Sequence, residues 1–135
     1  MRDLPRQLSE DELAELFSGR TRLTAELARR EDPLAVAGEV AAALPEEDQV
    51  AALGTHPRIG EKSPEQRGEL PAELVELILA YESKYGLPFV VFVAGRSRTE
   101  LVPVLRERLG RTREEELQTG LEELVAIARD RWTRT

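Results

Sequence analysis

The sequence predicts an all-α, single compact domain of about seven to eight helices with one short extended segment. Three observations carry that prediction. Apolar residues recur at three- and four-residue spacing along most of the chain. Helix-start and helix-stop signals bracket these blocks. Only one run, Leu87-Pro88-Phe89-Val90-Val91-Phe92-Val93, is dense in branched and aromatic residues, and no second run offers it a strand partner. The 135 residues suit one domain, spanning 1–135, that can bury a single core without staples.

Ser9-Glu10-Asp11-Glu12 is a capping box, so the first helix begins at about Glu10, carries Leu13, Leu16 and Phe17 on one face, and ends at Gly19. A second helix covers about Arg22 to Arg30, with Leu23, Leu27 and Ala28 as its apolar side. Asp32-Pro33 caps and opens an alanine-rich third helix through Leu44. Pro45-Glu46-Glu47-Asp48 starts a short fourth helix, with carboxylates at its positive end, that runs to Gly54. Pro71 opens a fifth helix on Leu74, Leu77, Ile78 and Tyr81, and Gly86 supplies its left-handed cap. With no partner strand, the Leu87 to Val93 run is expected to thread through the helical core. Gly95-Arg96-Ser97 turns the chain into a helix from about Thr99 to Leu109, closed by Gly110. Thr112-Arg113-Glu114-Glu115 is a second capping box, followed by a long last helix on Leu117, Leu121, Leu124, Val125, Ala128 and Trp132; the run Glu114-Glu115-Glu116 reads as ordinary helix-start acid.

Composition narrows the function. Hydrophobic residues at 41% exclude a disordered chain, and a net charge of -7 with basic residues interleaved among acidic ones gives no phosphate-tracking patch, so no nucleic-acid partner is expected. There is no cysteine and one histidine, which leaves neither disulfides nor the usual zinc ligand sets. No apolar stretch nears the roughly 18 residues of a membrane span, Met1 to Ser9 lack the apolar middle of a secretory signal, and the last residues are no peroxisomal signal. The expectation is a cytoplasmic protein with no membrane partner.

Chemistry concentrates between the fourth and fifth helices. Thr55-His56-Pro57-Arg58-Ile59-Gly60-Glu61-Lys62-Ser63-Pro64-Glu65-Gln66 holds the sole histidine, and its glycines and prolines stop either neighbouring helix. Pro57 biases His56 to extended backbone, which presents the imidazole at a helix end. An imidazole ordinarily titrates near neutrality, so it can exchange protons at low cost, and a guanidinium, carboxylates, a hydroxyl and an amide follow it.

His56-Pro57-Arg58-Ile59-Gly60-Glu61, Tyr81-Glu82-Ser83-Lys84-Tyr85-Gly86-Leu87-Pro88-Phe89-Val90 and Gly95-Arg96-Ser97, in this order and spacing, resemble the signature of the 2-oxo-4-hydroxy-4-carboxy-5-ureidoimidazoline (OHCU) decarboxylases. Leu16-Phe17, the alanine-rich helix and the Glu123 to Arg131 helix extend the resemblance over nearly the whole chain. It implies an all-helical, usually homodimeric enzyme that removes carbon dioxide from OHCU to give (S)-allantoin in urate breakdown, with no cofactor or metal. The resemblance makes His56 the general acid or base and Glu65 its carboxylate partner. Ser63, Gln66 and Arg131 would bind the small anionic substrate, and backbone amides around Pro88, Phe89 and Val90 would hold the ring's polar edge. Arg58 and Arg96 are expected in structural or dimer contacts, and Phe89, Val91 and Val93 in the core.

The chain departs from the family in a shortened loop. Ser63 precedes Glu65 by two positions, where the family's serine usually stands three before its glutamate. Glu61 and Glu69 are therefore alternatives for the catalytic carboxylate. The shortened loop also motivates two other functional readings: an altered or inactive relative serving as a helical ligand- or partner-binding module, and a lyase or hydrolase acting on another small anionic ureido compound.

Overall fold

Each helix begins where local chemistry satisfies its first free amides. In the computed structural model, which describes residues 3–56 and 70–134, seven helices occur and no strand is present among the described residues. The Ser9 and Glu12 side chains cap one another's backbone at the start of α1 (Glu10–Leu16). The Thr24 hydroxyl accepts from the Thr21 N–H at 2.9 Å at the start of α2 (Arg22–Leu27), which stops short of the expected Arg30. Pro33 opens α3 (Pro33–Ala43), and Pro45 precedes α4 (Glu46–Gly54), whose first turn holds Glu46, Glu47 and Asp48. α5 (Ala72–Tyr85) ends at Gly86 with φ +64°. Pro103 enters the first turn of α6 (Leu101–Arg108), and the chain from Ser97 makes tight turns before it, so this helix starts two residues later than expected. The Thr112–Glu115 box starts the long α7 (Arg113–Arg134). Hydrogen bonds from Thr112, the backbone one first, hold the Glu115 carboxyl below its usual titration range.

The core has two parts. The larger gathers the apolar faces of α1, α2, α3, α4 and α7, and the smaller joins α5 and α6. Leu87 to Val93 runs extended between them with strand-like alternation: Leu87, Phe89, Val91 and Val93 face the smaller part, while Val90 and Phe92 face the larger. The β-like run is thus a seam without a sheet, and Phe89, Val91 and Val93 are core, as expected.

A seam without a neighbouring strand must find other partners for its peptide groups. Side chains supply them. The Arg108 Nη1 donates to the Val90 carbonyl at 2.7 Å, Arg96 donates to the carbonyls of Phe92 and Val93 at 2.7 and 2.9 Å, and the Phe92 N–H donates to Glu123 at 3.4 Å. Arg96 accordingly has the structural role expected of it.

Arg108 is itself 5% exposed and forms an ion pair at 2.7 Å with Glu116, which is 0% exposed. Glu116 is therefore not the ordinary helix-start acid that the acidic run suggested. The Tyr81 hydroxyl donates to its Oε1 at 2.8 Å, and Arg111 donates to its Oε2 at 3.0 Å. Arg108 also stacks over the Phe89 ring, 4.7 Å from its centroid. One buried carboxylate thus ties α5, α6, α7 and the seam together.

Removing Glu116 leaves Arg108 buried without its counter-ion, and removing Arg108 leaves the fully buried Glu116 charge matched by the part-exposed Arg111 alone. Arg108→Met is expected to cost about 3–5 kcal/mol, read as a lower urea midpoint at unchanged slope. Replacing Arg108 and Glu116 together with Met and Leu should return much of that loss. Burial, then the bond to Glu116, pushes the Tyr81 phenol above its usual range. Its contribution is complete below the unfolded value near pH 10 and falls as pH rises toward the higher folded value. Tyr81→Phe should therefore be less stable than wild type at neutral pH, and the gap should narrow above about pH 10 in urea titrations.

Candidate active site

Three separate helices deliver their ends to one turn. The C-terminus of α4 is fixed first. Gln49 donates its side-chain amide to the carbonyls of Ala41 and Ala42 at the end of α3, at 3.0 and 3.3 Å. Leu53 packs onto α7 at Gly120, where an added Cβ would lie 3.1 Å from a Leu53 methyl. Glycine therefore permits the close approach of α4 and α7. His56 follows directly after this pinned turn, at 9% exposure, with its N–H 3.5 Å from the Leu53 carbonyl.

The end of α1 lies alongside. Phe17 caps it, the Gly19 N–H donates back to the Ala14 carbonyl at 2.8 Å, and the left-handed residue between them is Ser18, at φ +65°. The helix was expected to end at Gly19, yet the residue in the left-handed position is a serine. Gly19 follows at φ +154°, and a Cβ there would stand 3.2 Å from the Thr55 methyl.

The last carbonyls of a helix have no partner within it. Here they hold the two neighbouring elements. Thr55 donates its hydroxyl to the Phe17 carbonyl at 2.9 Å, and Arg131 of α7 donates through Nη1 to the Leu16 carbonyl at 3.1 Å and to the Ser18 hydroxyl at 2.6 Å. A cation at a helix C-terminus is also favoured by the peptide dipoles. The Leu16–Gly19 turn thus joins the residue before His56 to Arg131.

The other sequence-predicted residues divide into two groups. Pro88, Phe89 and Val90 lie on the seam, and Val90 belongs to the same apolar cluster as Leu16, Phe17 and Leu53. Pro88 has no N–H, so donors there come from its neighbours. Glu65, Ser63 and Gln66 lie outside the described residues, as do Glu61, Glu69 and Arg58. Sequence reasoning missed Ser18 and Thr55. Thr55 was at least legible as the hydroxyl beside the histidine. Ser18 carried no signal, because only an arginine from the far end of the chain gives it a role.

The described arrangement anchors Thr55, the residue before His56, and the Arg131 guanidinium to the same turn. An imidazole and a guanidinium that face one small anion can hold it with the cation and exchange a proton with it through the imidazole. Comparison with known proteins agrees in fold and family. The sequence profile described as OHCU decarboxylase matches residues 2–133. The uric acid degradation bifunctional protein of Bacillus sp. (strain TB-90) is 33% identical over 85 residues, an alignment that covers 56% of this chain and only 17% of that longer protein. A crystal structure of OHCU decarboxylase in the presence of (S)-allantoin superposes with a TM-score of 0.78 at 21% identity, over 91% of this chain and 96% of that one. A crystal structure of (S)-allantoin synthase gives 0.70 at 18% identity, over 93% of this chain and 47% of that one. At such identities these likenesses show the fold.

Loss of the Thr55 tether should loosen the turn without unfolding it. Thr55→Val keeps the shape and removes the hydroxyl, for an expected loss of about 1 kcal/mol in thermal or urea unfolding. Gly19→Ala should cost more, since it adds an unfavourable φ to a contact with Thr55.

Proposed function

This chain belongs to the OHCU decarboxylase family, and from that membership we propose that it converts OHCU to (S)-allantoin and carbon dioxide in urate catabolism, without a cofactor. The observation that carries the proposal is the shared turn. Thr55, next to His56, and Arg131 both anchor to Leu16–Ser18, so a proton-transfer group and an anion-binding group belong to one local framework.

The chemistry asks for those two groups. The bond from ring C4 to the carboxylate breaks, carbon dioxide leaves, and the electron pair passes into the conjugated imidazoline ring. The substrate supplies its own electron sink, so the protein has to orient and protonate. Arg131 holds the carboxylate out of the ring plane, where the breaking bond overlaps the ring orbitals. The charge left on the ring nitrogen is neutralised by a proton from solvent, and His56 takes the C4 hydroxyl proton as C4 becomes a carbonyl and delivers a proton to one face of C5, the carbon that bears the ureido group. Delivery from one side sets the S configuration. Glu65, or Glu61 or Glu69 in its place, fixes the imidazole tautomer or the substrate hydroxyl, and Ser63 and Gln66 bind the ureido and ring groups. The seam suits the remaining task. Arg108 holds the Val90 carbonyl, and with it the Val90–Val91 peptide, so the seam has a fixed anchor directly after the Phe89 and Val90 amides that would meet the ring.

No helix among the described residues is long and apolar enough to cross a membrane. The proposed setting is the cytoplasm, with the protein as a homodimer, following the usual state of the family.

The test is a circular-dichroism progress curve with OHCU generated in place from urate. Wild type should hasten the (S)-allantoin signal. His56→Ala, folded by far-UV spectrum and melting, should lose about 10²- to 10⁴-fold in kcat/KM. A wild type that adds nothing to spontaneous decay overturns the decarboxylase reading and turns attention to a binding module or a lyase for another ureido anion.

A further inference from the structure

We infer that Ser18 is a positioning residue for Arg131, so that the left-handed end of α1 sets the direction of the substrate-binding guanidinium; this rests on the decarboxylase reading. Three observations combine. Ser18 occupies φ +65°, a conformation that glycine enters freely and serine enters at a cost. Its hydroxyl lies 2.6 Å from Arg131 Nη1, and the same nitrogen is 3.1 Å from the Leu16 carbonyl. The next carbonyl, that of Phe17, accepts from Thr55, beside His56.

The geometry gives this arrangement its force. A guanidinium is planar, and the two hydrogens of one terminal nitrogen lie in that plane. Two acceptors on Nη1 therefore fix both the plane and its rotation. The Leu16 carbonyl alone would give Nη1 one such direction, and the Ser18 hydroxyl adds the second. Glycine at residue 18 would relax the backbone but would bring no acceptor. The strained serine is thus linked to the aim of Arg131, and the reference point for that aim is the turn that also holds the Thr55–His56 segment. Backbone strain of this kind clusters at ligand-binding sites.

If Ser18 only completes a helix end, relaxing it should be harmless. The experiment uses the full chain with OHCU generated from urate and measures kcat, KM and melting temperature for wild type, Ser18→Gly, Ser18→Asn and Ser18→Asp. Ser18→Gly should melt at or above the wild-type temperature, yet raise KM about five- to tenfold, the scale of one ordinary hydrogen bond, with a smaller change in kcat. Ser18→Asn tolerates the left-handed backbone and offers a neutral carbonyl oxygen, so KM should return to within about twofold of wild type. Ser18→Asp places a competing carboxylate on Arg131 and should raise KM beyond the glycine variant. A wild-type KM in Ser18→Gly overturns the inference and leaves the decarboxylase reading standing. Failure of Ser18→Asn to improve on Ser18→Gly overturns the acceptor role of the hydroxyl. Absence of turnover in the wild type overturns the reading and this inference together.

Discussion

A buried carboxylate with every oxygen engaged is the constraint on which the smaller half of the molecule depends. Glu116 has no solvent contact, so its charge must be matched by groups in fixed places. Arg108 and Arg111 supply opposite charge, and Tyr81 adds a neutral donor. The consequence reaches beyond those four residues. Arg108 also uses its Nη1 on the Val90 carbonyl, which fixes a stretch of chain that has no sheet to belong to. A buried pair is weak as a source of stability, since desolvation offsets much of the attraction. Its effect here is geometric: α5, α6, α7 and the seam have one mutual arrangement in which all four groups are satisfied.

The larger half is organised differently. Its helices pack through apolar faces, and precision is added at their ends. α3 ends against Gln49, α4 ends against Gly120 through Leu53, and α1 ends against Thr55 and Arg131. Each contact satisfies carbonyls that a helix terminus leaves open or permits an approach that a side chain would block. Helix ends are therefore the joints of this half. The same joints carry the candidate catalytic and anion-binding residues, which places reactive groups on the most tightly specified parts of otherwise generic helices.

The sequence disclosed the features whose cause is local. The boxes at Ser9–Glu12 and Thr112–Glu115 and the cap at Gly86 depend on residues a few positions apart, and each helix terminus was found where those residues predicted. The seam was legible too, because a single β-like run has no sheet to join. Glu116 was misread because its neighbours Glu114 and Glu115 are exposed acids of the ordinary kind. Its position, four residues before Gly120 and eight before Leu124 on the buried stripe of α7, was the available signal. Ser18 carried no comparable signal, since its partner is on the other terminal helix. The early end of α2 and the late start of α6 reflect turns and a proline that outweighed apolar spacing.

These two modes of specification meet where the function is proposed. The chain leaves the larger core at His56, and the sequence that follows, with Glu61, Ser63, Glu65 and Gln66, leads to α5 in the smaller core. It then returns between the two cores along the seam. Groups that must act on opposite edges of one small planar ring benefit from such a junction. Thr55, beside His56, and the Arg131 guanidinium share a reference in the α1 turn, while the seam takes its own from Arg108 and Glu116 through the Val90 carbonyl. Because the frameworks are separate, damage to each should leave a different trace. On the proposed reading, loosening the Glu116 network would perturb ring recognition along with stability, whereas altering the α1 turn would weaken the hold on the carboxylate while the fold stays intact. The second framework then acts first on binding, and on the angle between the breaking bond and the ring only through how firmly that carboxylate is held.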